Sequence, residues 1–225
     1  AADATAWARA ALADATRPRR FFEAELVAFQ RRFLGGAART VEAVSTGGGT
    51  RSINCAFEAV LRRRDAGGPR PVVLTGNPHL AVERAERRFG FLLERLEAGG
   101  AIDVEKMTAE LDRPEVAAVY AQTLSYTDGI SDEVPAVLDA LDAANARRKK
   151  RGVAPVCLIN DCCLAFSILV HQPSYRILDR APGATPILAT LDAHKHLGSD
   201  KGLSTVVATP GALDALRGAA RVGAR

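Results

Sequence analysis

Ile187-Leu188-Ala189-Thr190-Leu191-Asp192-Ala193-His194-Lys195-His196-Leu197-Gly198-Ser199-Asp200-Lys201-Gly202 runs from an apolar pentad into a lysine set between two histidines. The pentad reads as a buried strand. A lysine at the end of such a strand faces a cleft, where partial loss of water favours the neutral amine, a nucleophile toward an aldehyde. A solvated lysine in a strand-to-loop turn is the other reading of Lys195, and the segments upstream bear on the choice.

Working outward, the same alternation recurs. Strands are expected at Pro71–Thr75, Val116–Tyr120, Pro155–Asn160 and Leu203–Thr209. Helices are expected over 2–34 with a break at Pro18, from the glycines at 47–49 to about Arg64, over Leu80–Phe89, from Asp103 to Leu111, over about Val134–Arg148, and after Thr209. Residues 172–186, with Pro173, Pro182, Gly183 and Pro186, read as loop. Strands alternating with helices imply an α/β fold, a mainly parallel sheet sandwiched by helices. No internal repeat or interdomain linker interrupts residues 1–225, which read as one domain.

Composition narrows the function. Hydrophobic residues make up 48% of the chain, ordinary for a globular domain, and no apolar run is long enough for a membrane-crossing helix. The net charge is +4, but the basic residues cluster at Arg62–Arg64 and Arg147–Arg151, both at the ends of expected helices, where cations complement the dipole and stay solvated. With aromatics at 5%, there is little platform for stacking bases, so nucleic acid is not the expected partner. Cys55, Cys157, Cys162 and Cys163 form no CxxC pair; they read as free thiols in a reducing compartment such as the cytoplasm, and no metal site is expected.

Three further segments carry chemistry. In Thr46-Gly47-Gly48-Gly49-Thr50-Arg51-Ser52-Ile53, glycines at a helix start allow close backbone approach and expose free amides, the physics of phosphate binding, although a plain turn has the same composition. His79, after Asn77-Pro78, either caps the helix it heads or lies flat on an aromatic ring. Asp161 follows an apolar strand at the edge where open α/β sheets bind ligands. It is either a structural cap or the partner of a protonated pyridine nitrogen.

In this order, the segments resemble the fold-type-I pyridoxal phosphate enzymes of the group II decarboxylase superfamily, and within it the sphingosine phosphate lyases. The resemblance runs from about Arg17 to Thr209 and rests on Phe21–Val27, Thr46–Ile53, His79–Ala85, Asp161-Cys162-Cys163, Asp192-Ala193-His194-Lys195 and Lys201-Gly202. It implies the large domain of aspartate-aminotransferase-like enzymes, with the family's N-terminal segment and C-terminal small domain not included in residues 1–225. It implies that Lys195 forms a Schiff base with pyridoxal 5'-phosphate, that His79 stacks on the ring, and that Asp161 pairs with the ring nitrogen. Gly48, Gly49 and Thr50 would hold the phosphate, His194 would contact phosphate or assist proton transfer, and Lys201 corresponds to a second functional lysine.

The implied reaction is lyase cleavage of a phosphorylated amino alcohol to an aldehyde and a phosphorylated amine. Amino-acid decarboxylation is the alternative, and a non-catalytic assembly component is a third. A homodimer, or a partner completing the site, is implied as well. Arg51 stands where the family usually has Glu, residues 160–166 lack the glycine pair that follows the family's cysteine, and His196-Leu197 replaces Tyr-Gly.

Overall fold

The computed structural model describes residues 42–64, 67–125, 127–164, 177, 185–192, 195, 204–214 and 216. The expected helices within 2–34, most of the 172–186 loop and most of the final helix lie outside the described residues, as do His194 and Lys201.

The elements, in chain order, are β1 (Glu42–Thr46), α1 (Gly49–Leu61), β2 (Val72–Thr75), α2 (Leu80–Phe89), β3 (Leu92–Arg95), β4 (Glu97–Ala98), β5 (Ala101–Ile102), α3 (Val104–Glu110), β6 (Val116–Gln122), α4 (Val134–Lys150), β7 (Cys157–Asp161), β8 (Ile187–Asp192) and β9 (Ser204–Ala208). Seven strands form one sheet in the order β1-β9-β8-β7-β6-β2-β3, and β4 and β5 make a separate hairpin. From β8 through β3 every neighbour is parallel, whereas β9 is antiparallel to both β8 and β1.

Both faces of the sheet are covered. Val73, Ala118, Tyr120, Ile159, Leu188 and Val206 pack with Ile53, Phe57 and Val60 of α1 and Val82 and Ala85 of α2. Their neighbours one position along, Leu74, Val119, Leu158, Ala189 and Val207, pack on the other side with Met107, Leu111 and the Val137, Leu138 and Leu141 stripe of α4. This period of two with burial on both faces explains why β6, β7 and β8 read as continuous apolar runs. Each large side chain so buried contributes about 1.5–3 kcal/mol.

Four strands differ from the sequence expectation. Every residue of β1 is half-buried, because it lies at the sheet edge, so neither alternation nor an apolar run marks it. The Leu92-Leu93-Glu94-Arg95 strand is short, half charged and also at an edge. The β4 and β5 strands are two residues each, too short for any period.

One basic position is also corrected. Arg148 is not a solvated helix end but is fully buried. It continues the inward stripe Val134, Val137, Leu138, Leu141, Ala144, Asn145 of α4 by another helical turn. The cysteines are free thiols, as expected, with Cys157, Cys162 and Cys163 buried. Among the described residues, no helix is long and apolar enough to cross a membrane.

Candidate active site

Strands β6, β7 and β8 end side by side: Gln122 pairs with Asp161, and Asp161 with Thr190. Side chains alternate along each strand, so Tyr120 and Gln122, Ile159 and Asp161, and Leu188, Thr190 and Asp192 share the face that carries α1 and α2. The polar members of these rows stand at the carboxyl ends of the strands.

The start of α1 lies over this edge. Its N-cap, Gly48, has φ +123, a conformation open to glycine and rarely adopted by other residues. The amides of Gly49 and Thr50 precede the first intrahelical bonds, in which Arg51 N–H and Ser52 N–H donate to the Gly48 carbonyl. A Cβ at Gly49 would stand 3.0 Å from Asp192 Oδ2 and 3.4 Å from Cys163 Sγ, so the helix start meets the ends of β7 and β8 without room for a side chain.

Together these pieces enclose a cavity of about 240 Å³ whose wall includes Gly49, Thr50, His79, Asp161, Asp192 and Lys195. Five of the sequence candidates thus meet around one space. Gly48, the helix cap that precedes Gly49, is not among the lining residues. His79 takes the expected cap position, its Nδ1 accepting the Ala81 N–H of α2 at 3.1 Å, and its side chain also lines the cavity. A neutral His79 therefore carries its proton on Nε2.

The Asp161 carboxylate is buried and accepts three hydrogen bonds. Tyr120 Oη donates to Oδ2 at 2.6 Å; Thr190 Oγ1 and the Cys163 N–H each donate to Oδ1 at 3.0 Å. All three donors are neutral, and no cation contacts this carboxylate among the described residues. Asp192, also buried, accepts from Ser204 Oγ at 2.5 Å and lies 3.6 Å from Lys195 Nζ, three residues further on. The Lys195 side chain is one-third exposed, at 33%.

Burial, and then the adjacent Asp161 charge, push the Tyr120 hydroxyl and the Cys163 thiol well above their ordinary values, so both stay protonated. Burial lifts Cys162 to about 12. These thiols are not nucleophiles at neutral pH.

Tyr120, Thr190 and Gln122 were not singled out from the sequence, and Asp192 and Cys163 stood in motifs of the resemblance without a role of their own. Their signal is register: counting in twos from Asp161 across its neighbours selects Tyr120, Gln122 and Thr190, but only once strand order is known. The spacing of Asp192 and Lys195 is an ordinary i,i+3 pair.

No family model matches this chain, and no curated protein matches it. Solved structures do share its fold. A sphingosine-1-phosphate lyase from Burkholderia pseudomallei is similar at 24% identity and TM-score 0.66, over 84% of this chain and 44% of that one. A glutamate decarboxylase from Lactobacillus brevis is similar at 15% identity and TM-score 0.70, over 86% and 46%. The cysteine desulfurase CsdA from Escherichia coli is similar at 16% identity and TM-score 0.60, over 83% and 43%. The chain spans less than half the length of each of these proteins. The architecture is the mainly parallel sheet between helices that the alternation of elements implies, and it matches the fold-type-I domain that the resemblance implies.

Proposed function

We propose that this domain binds pyridoxal 5'-phosphate and belongs to an enzyme that breaks a bond at or beside an amine-bearing carbon. The observation that carries the reading is the convergence of Gly49, Thr50, His79, Asp161 and Lys195, from four separate segments, on one cavity. The residues fit such a cofactor on their own chemistry. Free amides at a helix start suit a phosphate. A buried carboxylate ringed by neutral donors suits a cationic ring nitrogen.

In this reading Gly48, Gly49 and Thr50 hold the phosphate, His79 packs on the ring face, and Asp161 keeps the ring nitrogen protonated. The bound cofactor supplies an electron sink for the carbanion left by bond cleavage. Lys195 provides the amine that holds the cofactor aldehyde and yields it to the substrate amine. Asp192, with Ser204 behind it, holds the Lys195 ammonium at the cavity wall. His194 contacts the phosphate or moves a proton beside the amine, and Lys201 serves as the second lysine. A homodimer or a partner subunit completes the site.

The reading favoured for the reaction is that of a sphingosine phosphate lyase: cleavage between the amino-bearing and hydroxyl-bearing carbons of a phosphorylated amino alcohol. Amino-acid decarboxylation is the second reading, favoured by the superposition on the glutamate decarboxylase. Incubation with pyridoxal 5'-phosphate and either a phosphorylated long-chain amino alcohol or a panel of amino acids separates them. Aldehyde and phosphorylated amine support the first, and carbon dioxide from an amino acid supports the second. Cofactor uptake without either product overturns both, and a folded chain that takes up no cofactor overturns the binding proposal as well.

A further inference from the structure

We propose that the Tyr120 hydroxyl is a positioning group that selects Asp161 Oδ2 as the oxygen presented to a cationic ring nitrogen. The inference rests on the cofactor reading above. A carboxylate offers about four lone-pair sites. On Asp161, Oδ1 takes both the Thr190 hydroxyl and the Cys163 N–H, whereas Oδ2 takes the Tyr120 hydroxyl. The Cys163 thiol also hydrogen-bonds this carboxylate; of the hydroxyl and backbone donors Oδ1 takes two and Oδ2 one, so Oδ2 is the less occupied oxygen for a cation entering the cavity and Tyr120 shares it.

Packing fixes the hydroxyl. Tyr120 is fully buried in β6, and its ring lies against Phe57 of α1 at a centroid distance of 6.1 Å and an interplanar angle of 22°. Phe57 in turn stacks on Phe91 at 4.9 Å. The helix whose first turn lines the cavity near Gly49 and Thr50 thus also clamps the ring that carries the donor to Asp161. Phenylalanine at position 120 keeps every one of these ring contacts and removes a single donor from a buried anion.

The test compares two ligands on three proteins. Dissociation constants are measured by equilibrium titration for pyridoxal 5'-phosphate and for its analogue with a carbon in place of the ring nitrogen, on wild type, Tyr120→Phe and Thr190→Val. A hydrogen bond to a charged group corresponds to about tenfold or more in binding. The expected result is about tenfold weaker binding of pyridoxal 5'-phosphate to Tyr120→Phe. The carbon analogue, which has no nitrogen to pair with Oδ2, should bind wild type and Tyr120→Phe alike. Thr190→Val should have the smaller effect on pyridoxal 5'-phosphate, because Oδ1 keeps the Cys163 N–H. If Tyr120→Phe weakens both ligands equally, or neither, the positioning role is overturned while the cofactor reading stands. If wild type binds neither ligand, the cofactor reading falls and this inference falls with it.

Discussion

At the edge of the sheet where the strands begin, Arg148 is buried and all five of its N–H groups donate to backbone carbonyls: those of Leu111, Arg113, Pro114, Val116 and Ala154. Arg64, at the end of α1, reaches the Pro114 and Val116 carbonyls of the same turn. Burial, with Arg64 and Arg151 nearby, lowers Arg148 to about 10, which still leaves it a cation at neutral pH. At the opposite edge, Asp161 is also buried, and it lines a cavity together with the first residues of α1. One buried charge has saturated its hydrogen-bonding capacity on the protein's own backbone, whereas the other is held by side chains and one amide at the wall of a cavity. The first arrangement ties helix ends to strand starts, and the second is what a ligand site requires.

Arg148→Ala would break the saturated edge. It strands several buried carbonyls and opens a cavity, so unfolding free energy should fall by about 3 kcal/mol or more in denaturant titration, with cofactor affinity per folded molecule unchanged. A loss below about 1 kcal/mol would mean that water replaces the guanidinium and that the two edges are alike.

Asp161→Asn probes the open edge. Removing the negative charge while keeping the shape should lower turnover about a hundredfold or more, a magnitude typical of one lost electrostatic contact in a site. Steady-state rates on the substrate found to react provide the check, and a change within threefold would take Asp161 out of the chemistry.

Asp132 sharpens the contrast, because it is a carboxylate at the open edge with a structural task. Its Oδ1 accepts the Ile102 N–H at 2.7 Å and its Oδ2 the Gln122 N–H at 2.6 Å, tying a loop to the end of β6. Burial raises it above the ordinary carboxylate value of 3.8, against the pull of those two amides. The folded state therefore binds this proton more tightly than the unfolded chain does. Its contribution to stability is complete below about pH 4 and declines as pH rises through the raised value. Asp132→Asn should flatten that decline in denaturation measured at pH 4 and pH 7, and an unchanged slope would contradict the assignment.

The smallest expected effect belongs to His79. His79→Ala should cost about 1 kcal/mol through loss of the α2 cap, and His79→Ser should restore most of it. Neither variant should hold the cofactor as wild type does. If His79→Ser recovers both stability and affinity, His79 is a cap and nothing more.

The sequence revealed the inner strands because β6, β7 and β8 are buried on both faces, which leaves continuous apolar runs ending in Gln122, Asp161 and Asp192. It did not reveal β1 or β3 to β5, whose half-buried or two-residue segments carry no periodic signal. Gly49, Thr50, His79, Asp161 and Lys195 were legible since each is a polar or glycine residue at an element boundary. Tyr120 was not, because a tyrosine inside an apolar strand looks like core until register sets it beside Asp161. Arg148 was misread from its neighbours: a run of five basic residues looks solvated, and only the helical stripe singles out the one that turns inward.

The central claim is covalent, that the amine of Lys195 takes up the cofactor aldehyde in this cavity. Borohydride reduction of the folded protein with pyridoxal 5'-phosphate, followed by peptide mass mapping, tests it directly. One modified peptide is expected, containing Lys195, and it is lost in Lys195→Ala. A folded wild type with no modified peptide, or a Lys195→Ala protein modified to the same extent, would contradict it.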